Sequence, residues 1–323
     1  MIRNFLFAGI GGALLACSTK PEVESSVNWK IAYNVWYDTA NDDYEIFIMN
    51  LDGSGKKNIS NWEGVDWTYY AYGDRIFFIS DRDTTHRKYQ LFEMDAEGNH
   101  VRRIADFLLN DSWMDSRKDG TEMIVTSKKD GALAFHVIDM DGNEISKLVP
   151  QGLERFVDPL FINGGNQIVF RGSVKNNFEL RLKNDPSTND ELYVMNADGT
   201  NLRQITRFPA KDTLVEWHAY HAGPPKWSPS EELITYQSMQ NGKYSLFAVA
   251  PDGSKQYKLT NLEQSEGWHD WSDDGKYLAI ETFDRDQSIF DIYLMNWETK
   301  EVTRLTDDWR YEQAPVFVKA AKE

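Results

Sequence analysis

Glu191-Leu192-Tyr193-Val194-Met195-Asn196-Ala197-Asp198-Gly199 is a short alternating strand running into an Asp-Gly turn, and the chain writes this phrase six times. The other copies close at Met49-Asn50-Leu51-Asp52-Gly53, Met94-Asp95-Ala96-Glu97-Gly98, Ile138-Asp139-Met140-Asp141-Gly142, Val249-Ala250-Pro251-Asp252-Gly253 and Met295-Asn296-Trp297-Glu298-Thr299. Counted on the acidic turn residue (52, 97, 141, 198, 252, 298), the steps are 45, 44, 57, 54 and 46. A period of roughly 40–60 residues that holds several strands is the mark of a propeller.

Outward from the phrase, each unit divides into four period-2 segments bounded by turn residues. A first strand precedes a polar turn, as at Trp227-Ser228-Pro229-Ser230 and Trp271-Ser272-Asp273-Asp274-Gly275. An apolar second strand follows, as in Arg75-Ile76-Phe77-Phe78-Ile79-Ser80. The phrase is the third strand. The fourth ends in a Leu-Thr-like pair, at Ile205-Thr206, Leu259-Thr260 and Leu305-Thr306. The first unit opens at its second strand, Lys30 to Trp36, while a surplus first-strand pattern, Ala314 to Val318, follows the last unit. The expectation is an all-β fold over residues 28–319: a six-bladed β-propeller with four-stranded blades, closed by a C-terminal strand that completes the first blade and removes an open sheet edge. One unit carries a long insertion, 171–190, in which Phe178 to Leu182 reads as a small extra strand without chemistry.

Residues 1–17 read as an export signal, with Arg3 ahead of an apolar run that ends Leu14-Leu15-Ala16-Cys17. This ending resembles a bacterial lipobox, so Cys17 is expected to carry a lipid, and residues 18–27 to act as a polar tether. Ser18 after the cysteine points to the outer membrane, facing the periplasm or the surface. Cys17 is the one cysteine in the chain, which leaves no intramolecular disulfide. The formal net charge of −16 argues against nucleic acid as a partner.

The phrases W-S-P/D-x-G/E and I-Y-x-M-N-x-D-G and the terminal L-T pair resemble the PD40, or WD40-like, repeats of the TolB-like family, over roughly residues 28 to 319, with the third unit most degraded. The resemblance implies the propeller fold and a cell-envelope setting, in which TolB binds peptidoglycan-associated lipoprotein and colicins. Related repeats form the propeller of oligogalacturonate lyases, which hold Mn²⁺ through histidines and a glutamine, and the gating domain of prolyl oligopeptidases. No hydrolase sequence with a serine-centred elbow accompanies the repeats here.

In such a ring the loops approaching each first strand converge on the central opening. These are the stretches 62–67, 110–113, 154–158, 216–221, 266–270 and 309–313, where tryptophans and three of the six histidines gather. Aromatic faces stack on a ligand while polar groups fix its orientation. The expected ligand-binding residues are Trp62, Asp66, Trp113, Arg155, Glu216, Trp217, Trp268, Asp270, Arg310 and Tyr311. His218, His221 and His269, with Glu216, Glu266 or Gln313, form a candidate set for a divalent cation, Mn²⁺ or Ca²⁺. His86, His100 and His136 read as structural. The primary expectation is a non-catalytic, lipid-anchored platform that binds an envelope protein or a glycan. The alternative is a metal-dependent polysaccharide lyase, with Arg155 and Arg310 neutralising a uronate and one of His218, His221 or His269 as the catalytic base.

Overall fold

The computed structural model describes residues 28–208, 216, 218–308 and 310–320. The signal segment, Cys17, the whole tether and Trp217 lie outside the described residues. Six four-stranded antiparallel sheets form the ring. Blade 1 combines the strands Glu312–Lys319, Trp29–Asp38, Asp43–Asn50 and Lys57–Asn58, with Glu312–Lys319 innermost. Blades 2 to 6 span 66–103, 115–148, 155–204, 226–258 and 265–304.

The surplus C-terminal segment completes blade 1 as expected. It pairs antiparallel with Trp29–Asp38, placing Val316 opposite Ala32, and the Ala320 amide donates to the Asn28 carbonyl at 2.8 Å. Val316, Phe317 and Val318 are buried. At about 1.5–3 kcal/mol per buried side chain of this kind, the three are worth as much as the whole net stability of many domains.

The apolar runs of the second strands follow from where the core sits. Each sheet is covered on both faces by its neighbours, so alternate residues point into different seams. Ile31, Tyr33 and Val35 pack against Ala279, Ile292 and Leu305 of blade 6. Ala32, Ile46 and Ile48 face the other way, onto Ile76, Phe78 and Phe92 of blade 2. A strand buried on both faces has no need of polar alternation.

The two halves of the repeated phrase meet between blades. Gly53 turns at φ +79, and a Cβ there would lie 2.8 Å from the carbonyl oxygen of Leu305, whose Leu-Thr pair belongs to the preceding blade. Gly98 sits likewise on Ile59, Gly142 on Ile104 and Gly253 on Ile205. The hydroxyl of the pair has its own task. Ser60, Thr206, Thr260 and Thr306 accept the third-strand amides of Ile46, Leu192, Leu246 and Ile292, each fourteen residues earlier. The same hydroxyls of Ser60, Thr206 and Thr260 donate to the buried carboxylates of Glu45, Glu191 and Glu266.

The insertion differs from expectation. Phe178–Arg181 is a single helical turn whose N-cap, Asn177, accepts the Leu180 amide at 3.0 Å, and Asp185 caps a second, 3₁₀ turn at Pro186–Thr188. Side-chain acceptors at both positions satisfy the local amides and favour turns over strand pairing.

Candidate functional site

Because successive strands of a blade alternate in direction, the approach loops and the loops joining second to third strands emerge on one face. The Asp-Gly turns emerge on the opposite face. On the first face the innermost strands are irregular. Register shifts fall at Thr68/Tyr70, at Val157/Leu160, at Glu266/His269 and, against the closing strand, at Ala32/Asn34. Asp158 and Ala314 in the shifted segments have φ of 59° and 48°. Such bulges re-aim side chains, and here Tyr69 and Trp268 lie within them.

The result is an aromatic plug across the axis. Trp268 of blade 6 meets Trp113, ahead of blade 3, at 4.9 Å and Trp67 of blade 2 at 5.9 Å, both edge to face. Blades 6 and 3 are not neighbours around the ring, so this contact crosses the central opening. Tyr69 tilts on Trp113 at 4.3 Å, and Tyr44 meets Trp67 at 5.2 Å. Beside the plug lies a cavity of about 220 Å³, walled by Tyr44, Trp67, Tyr69, Tyr89 and Trp268 and rimmed by Arg87, Asp111 and Gln313. Asp111 accepts the Tyr69 hydroxyl, and desolvation by these walls, with repulsion from Asp158, raises its pKa. Arg87 is oriented by Asp42, whose two oxygens accept its Nε and Nη2 at 2.6 Å each. The cavity thus offers flat apolar faces and a few fixed polar groups.

Of the expected ligand residues, Trp268 and Trp113 are in the plug and Gln313 is on the cavity rim. Trp62 is 37 % exposed and lies over the guanidinium of Arg82 at 5.3 Å. Asp66 is buried against that same Arg82, and burial lifts its pKa to about 6. Tyr311 packs edge-on to Trp36 at 5.4 Å, and Arg310 lies over Tyr37 at 5.5 Å. Asp270 bridges Lys226 at 3.0 Å and the Phe317 amide at 2.9 Å, tying blades 5, 6 and 1. Arg155 is bonded to Asp190 at 3.0 Å. These last contacts are scaffold.

The histidines do not converge as one set. His218 and His221 line a common cleft between blades 4 and 5, where Glu216 lies 2.7 Å from His218 Nε2. His269 sits inside the sheet, its Nε2 2.8 Å from Thr235 Oγ1, and burial, with repulsion from Lys226, lowers its pKa to about 3. It is a neutral structural imidazole. Glu266 is occupied by Thr260 and by the amides of Leu246 and Leu262. Among the described residues, three His, Cys, Asp or Glu ligand atoms within 4.8 Å of one another occur at Asp130, His136 and Glu144, where Lys129 and Lys147 already neutralise the carboxylates. The residues at the approach loops therefore do not fit the histidine cage that the lyase resemblance implies.

The approach stretches contained Trp67 and Asp111, but nothing in their spacing marked them above their neighbours. Tyr44, Arg87 and Tyr89 come from strand ends and a second-to-third-strand loop that the repeat reading passed over.

No protein-family model matches the sequence, and no curated protein matches it. Solved structures do. TolB from Acinetobacter baumannii superposes with a TM-score of 0.68 at 13% identity, covering 90% of this chain and 67% of that one. A putative TolB from Agrobacterium tumefaciens gives 0.61 at 13% identity, covering 90% and 92%. An oligogalacturonate lyase in complex with manganese gives 0.51 at 13% identity, covering 85% and 73%. At such identities the likeness is one of fold, and on that ground the chain is a TolB-like six-bladed β-propeller.

Proposed function

We propose that this protein is a non-catalytic binding propeller of the bacterial cell envelope, anchored through a lipid on Cys17 in the outer membrane, which holds an envelope protein or a glycan on the face that carries the axial cavity. The observation that carries this reading is the 220 Å³ cavity itself, with aromatic walls and the polar rim of Arg87, Asp111 and Gln313. Stacking faces beside a few oriented polar groups are the usual make-up of a recognition site. The fold it shares with the TolB structures is consistent with a binding role.

The alternative, a polysaccharide lyase using Mn²⁺ or Ca²⁺, needs His218, His221 and His269 on one ion. The burial of His269 against Thr235 weighs against it. Dialysis against either ion followed by metal analysis separates the two: a stoichiometric ion with a thermal shift would favour the lyase.

The binding reading is tested by immobilising the protein and exposing it to isolated peptidoglycan and to detergent-solubilised envelope. Wild type retains a component that an Arg87→Glu, Gln313→Ala variant releases. Equal retention by both proteins, or retention by neither, sinks the assignment to this cavity. A Cys17→Ala variant moves the protein from the membrane to the soluble fraction if the anchor is as proposed.

A further inference from the structure

On the same face as the axial cavity, but sharing none of its lining residues, an open groove of about 710 Å³ lies between blades 1 and 2. The size falls within the range of about 300–1,000 Å³ usual for small-molecule sites. Tyr37 and Trp62 line it and are 46 % and 37 % exposed. Each ring is backed by a guanidinium: Arg310 lies 5.5 Å from the Tyr37 centroid, and Arg82 lies 5.3 Å from that of Trp62. Arg82 is itself fixed by Asp66, and the Trp62 amide donates to Glu45 Oε1 at 2.9 Å. Gly64 keeps room for the indole, since a Cβ there would stand 3.2 Å from Trp62 Nε1 and 2.6 Å from Asp81 Oδ1. Two aromatic rings are thus held in place with surface left open to a ligand, which is what stacking requires.

A second, independent observation is the set of polar atoms that the groove leaves accessible. Asn41 spends its Nδ2 on Asp38, and Asp43 accepts the Gly64 amide through Oδ1. Among the described residues this leaves Asn41 Oδ1, Asp43 Oδ2 and the exposed Glu63 as acceptors, beside the Trp62 Nε1 and the Tyr37 hydroxyl as donors. No lysine or arginine lines the groove, and His86, its one basic residue, is turned to Asp42 at 2.8 Å and Asp81 at 3.3 Å. A hydroxyl donates and accepts at once, whereas an ammonium only donates and a carboxylate only accepts. An ammonium would leave the Trp62 N–H unmatched. A carboxylate would face Asp43, whose pKa burial and repulsion from Asp38, Glu63 and Asp81 already raise. Hydroxyls suit the mixture best.

We propose that this groove binds a short neutral oligosaccharide. The apolar C–H faces of its pyranose rings stack on Trp62 and Tyr37, while its hydroxyls donate to Asp43 and Glu63 and accept from Trp62 Nε1. The site deepens the binding role proposed above, on which it rests for its place in the envelope, but it needs nothing from the axial cavity. The two are neighbours: the amide of Tyr44, a cavity wall, donates to the carbonyl of Gly64 in the groove at 2.9 Å.

The test is calorimetric titration of the purified protein with maltotriose, with triacetylchitotriose, with its deacetylated amine and with trigalacturonate. The expected result is 1:1 saturable binding of at least one of the two neutral sugars, at least tenfold tighter than binding of the amine or the acid. Trp62→Ala weakens it at least tenfold, Tyr37→Ala also weakens it, and Trp62→Phe, which keeps a stacking ring, loses less than Trp62→Ala. Unfolding midpoints measured without ligand show that each variant is folded. Gln313→Ala on the axial rim separates the two sites. Sugar binding lost in that variant and kept in Trp62→Ala would place the sugar in the axial cavity, overturning the groove and leaving the platform reading intact. Absence of binding by both neutral sugars, equal or tighter binding of the amine or the acid, or unchanged affinity in both alanine variants of the groove also overturns the proposal.

Discussion

Replacing Gly53 by alanine tests the idea that the Asp-Gly turns weld one blade to the next. Gly53 has φ +79, and an added Cβ would stand 2.8 Å from Leu305 O and 3.3 Å from Leu305 Cα. Both are backbone atoms of a residue that follows the strand Val302–Arg304 and is pinned by the hydrogen bond of its amide to Ile292 O at 2.8 Å, so neither can swing aside. The left-handed conformation costs alanine about 1–2 kcal/mol, offset by about 0.4–1 kcal/mol from the stiffer unfolded chain. Forcing a methyl into a filled seam adds about 1–3 kcal/mol. The expected destabilisation of Gly53→Ala is therefore about 1–5 kcal/mol, centred near 3. Gly199 supplies the control: it occupies the same place in the phrase at φ +85, but its nearest neighbour would be Leu148 Cδ2 at 3.5 Å, an ordinary contact. Gly199→Ala should cost only the backbone component, about 1 kcal/mol. Urea unfolding followed by tryptophan fluorescence compares the two midpoints directly. Equal losses would show that the backbone conformation alone sets the need for glycine, and the inter-blade reading would fall.

Thr206→Val should cost about 2 kcal/mol in the same assay, because it strands the buried Leu192 amide and the Glu191 carboxyl that the hydroxyl serves at 2.8 and 2.6 Å. Glu281 accepts the Ala314 amide at 3.0 Å inside the ring, and burial raises its pKa to about 8. The folded state therefore holds a proton between about pH 4.5 and 8 that the unfolded chain has lost, and stability falls with rising pH across that window, at up to about 1.4 kcal/mol per pH unit from this group. Glu281→Gln should flatten that part of the thermal-midpoint profile; an unchanged slope would show that Glu281 is ionised when folded. The imidazole of His269 should show no titration by NMR between pH 5 and 8, whereas a midpoint near 6.5 would contradict its burial against Thr235. Deleting residues 312–320 should abolish cooperative unfolding, and a synthetic peptide of the same residues added in trans should restore part of it.

The fold was legible because its signals are local and repeated. Aspartate followed by glycine needs no distant partner to form a turn, and the closing strand betrayed itself by matching a pattern that blade 1 lacked. The site was legible only in outline. The approach stretches do contain Trp67, Trp113, Trp268 and Gln313, but sequence spacing cannot say that bulges at Thr68/Tyr70 and Glu266/His269 aim Tyr69 and Trp268 at the axis. His269 looked like a ligand because it stood near His218 and His221 in the repeat. One residue of offset within a strand decides whether an imidazole faces solvent or a seam, and that offset was set by the bulge. Asp66, Asp270 and Glu266 misled for a related reason: a carboxylate that ties blades together has the same composition signal as one that greets a ligand. The insertion gave no sign of its ion pairs, since Arg181 and Asp190 form a cluster only where Arg155 and Arg171 of the adjoining strands meet them.

The pairing of Trp29 with Lys319 and of Val35 with Glu312 has a mechanical side. Both ends of the described fold leave blade 1 at the same point, as the hydrogen bond between Ala320 and Asn28 shows. Tension applied between them would peel the closing strand away one hydrogen bond at a time, like a zipper, instead of loading the whole ladder in shear. A ring whose blades are packed against one another through buried seams would then yield to a modest directed pull. A short covalent bridge from residue 320 to residue 28 would move that line of weakness to wherever new termini were cut.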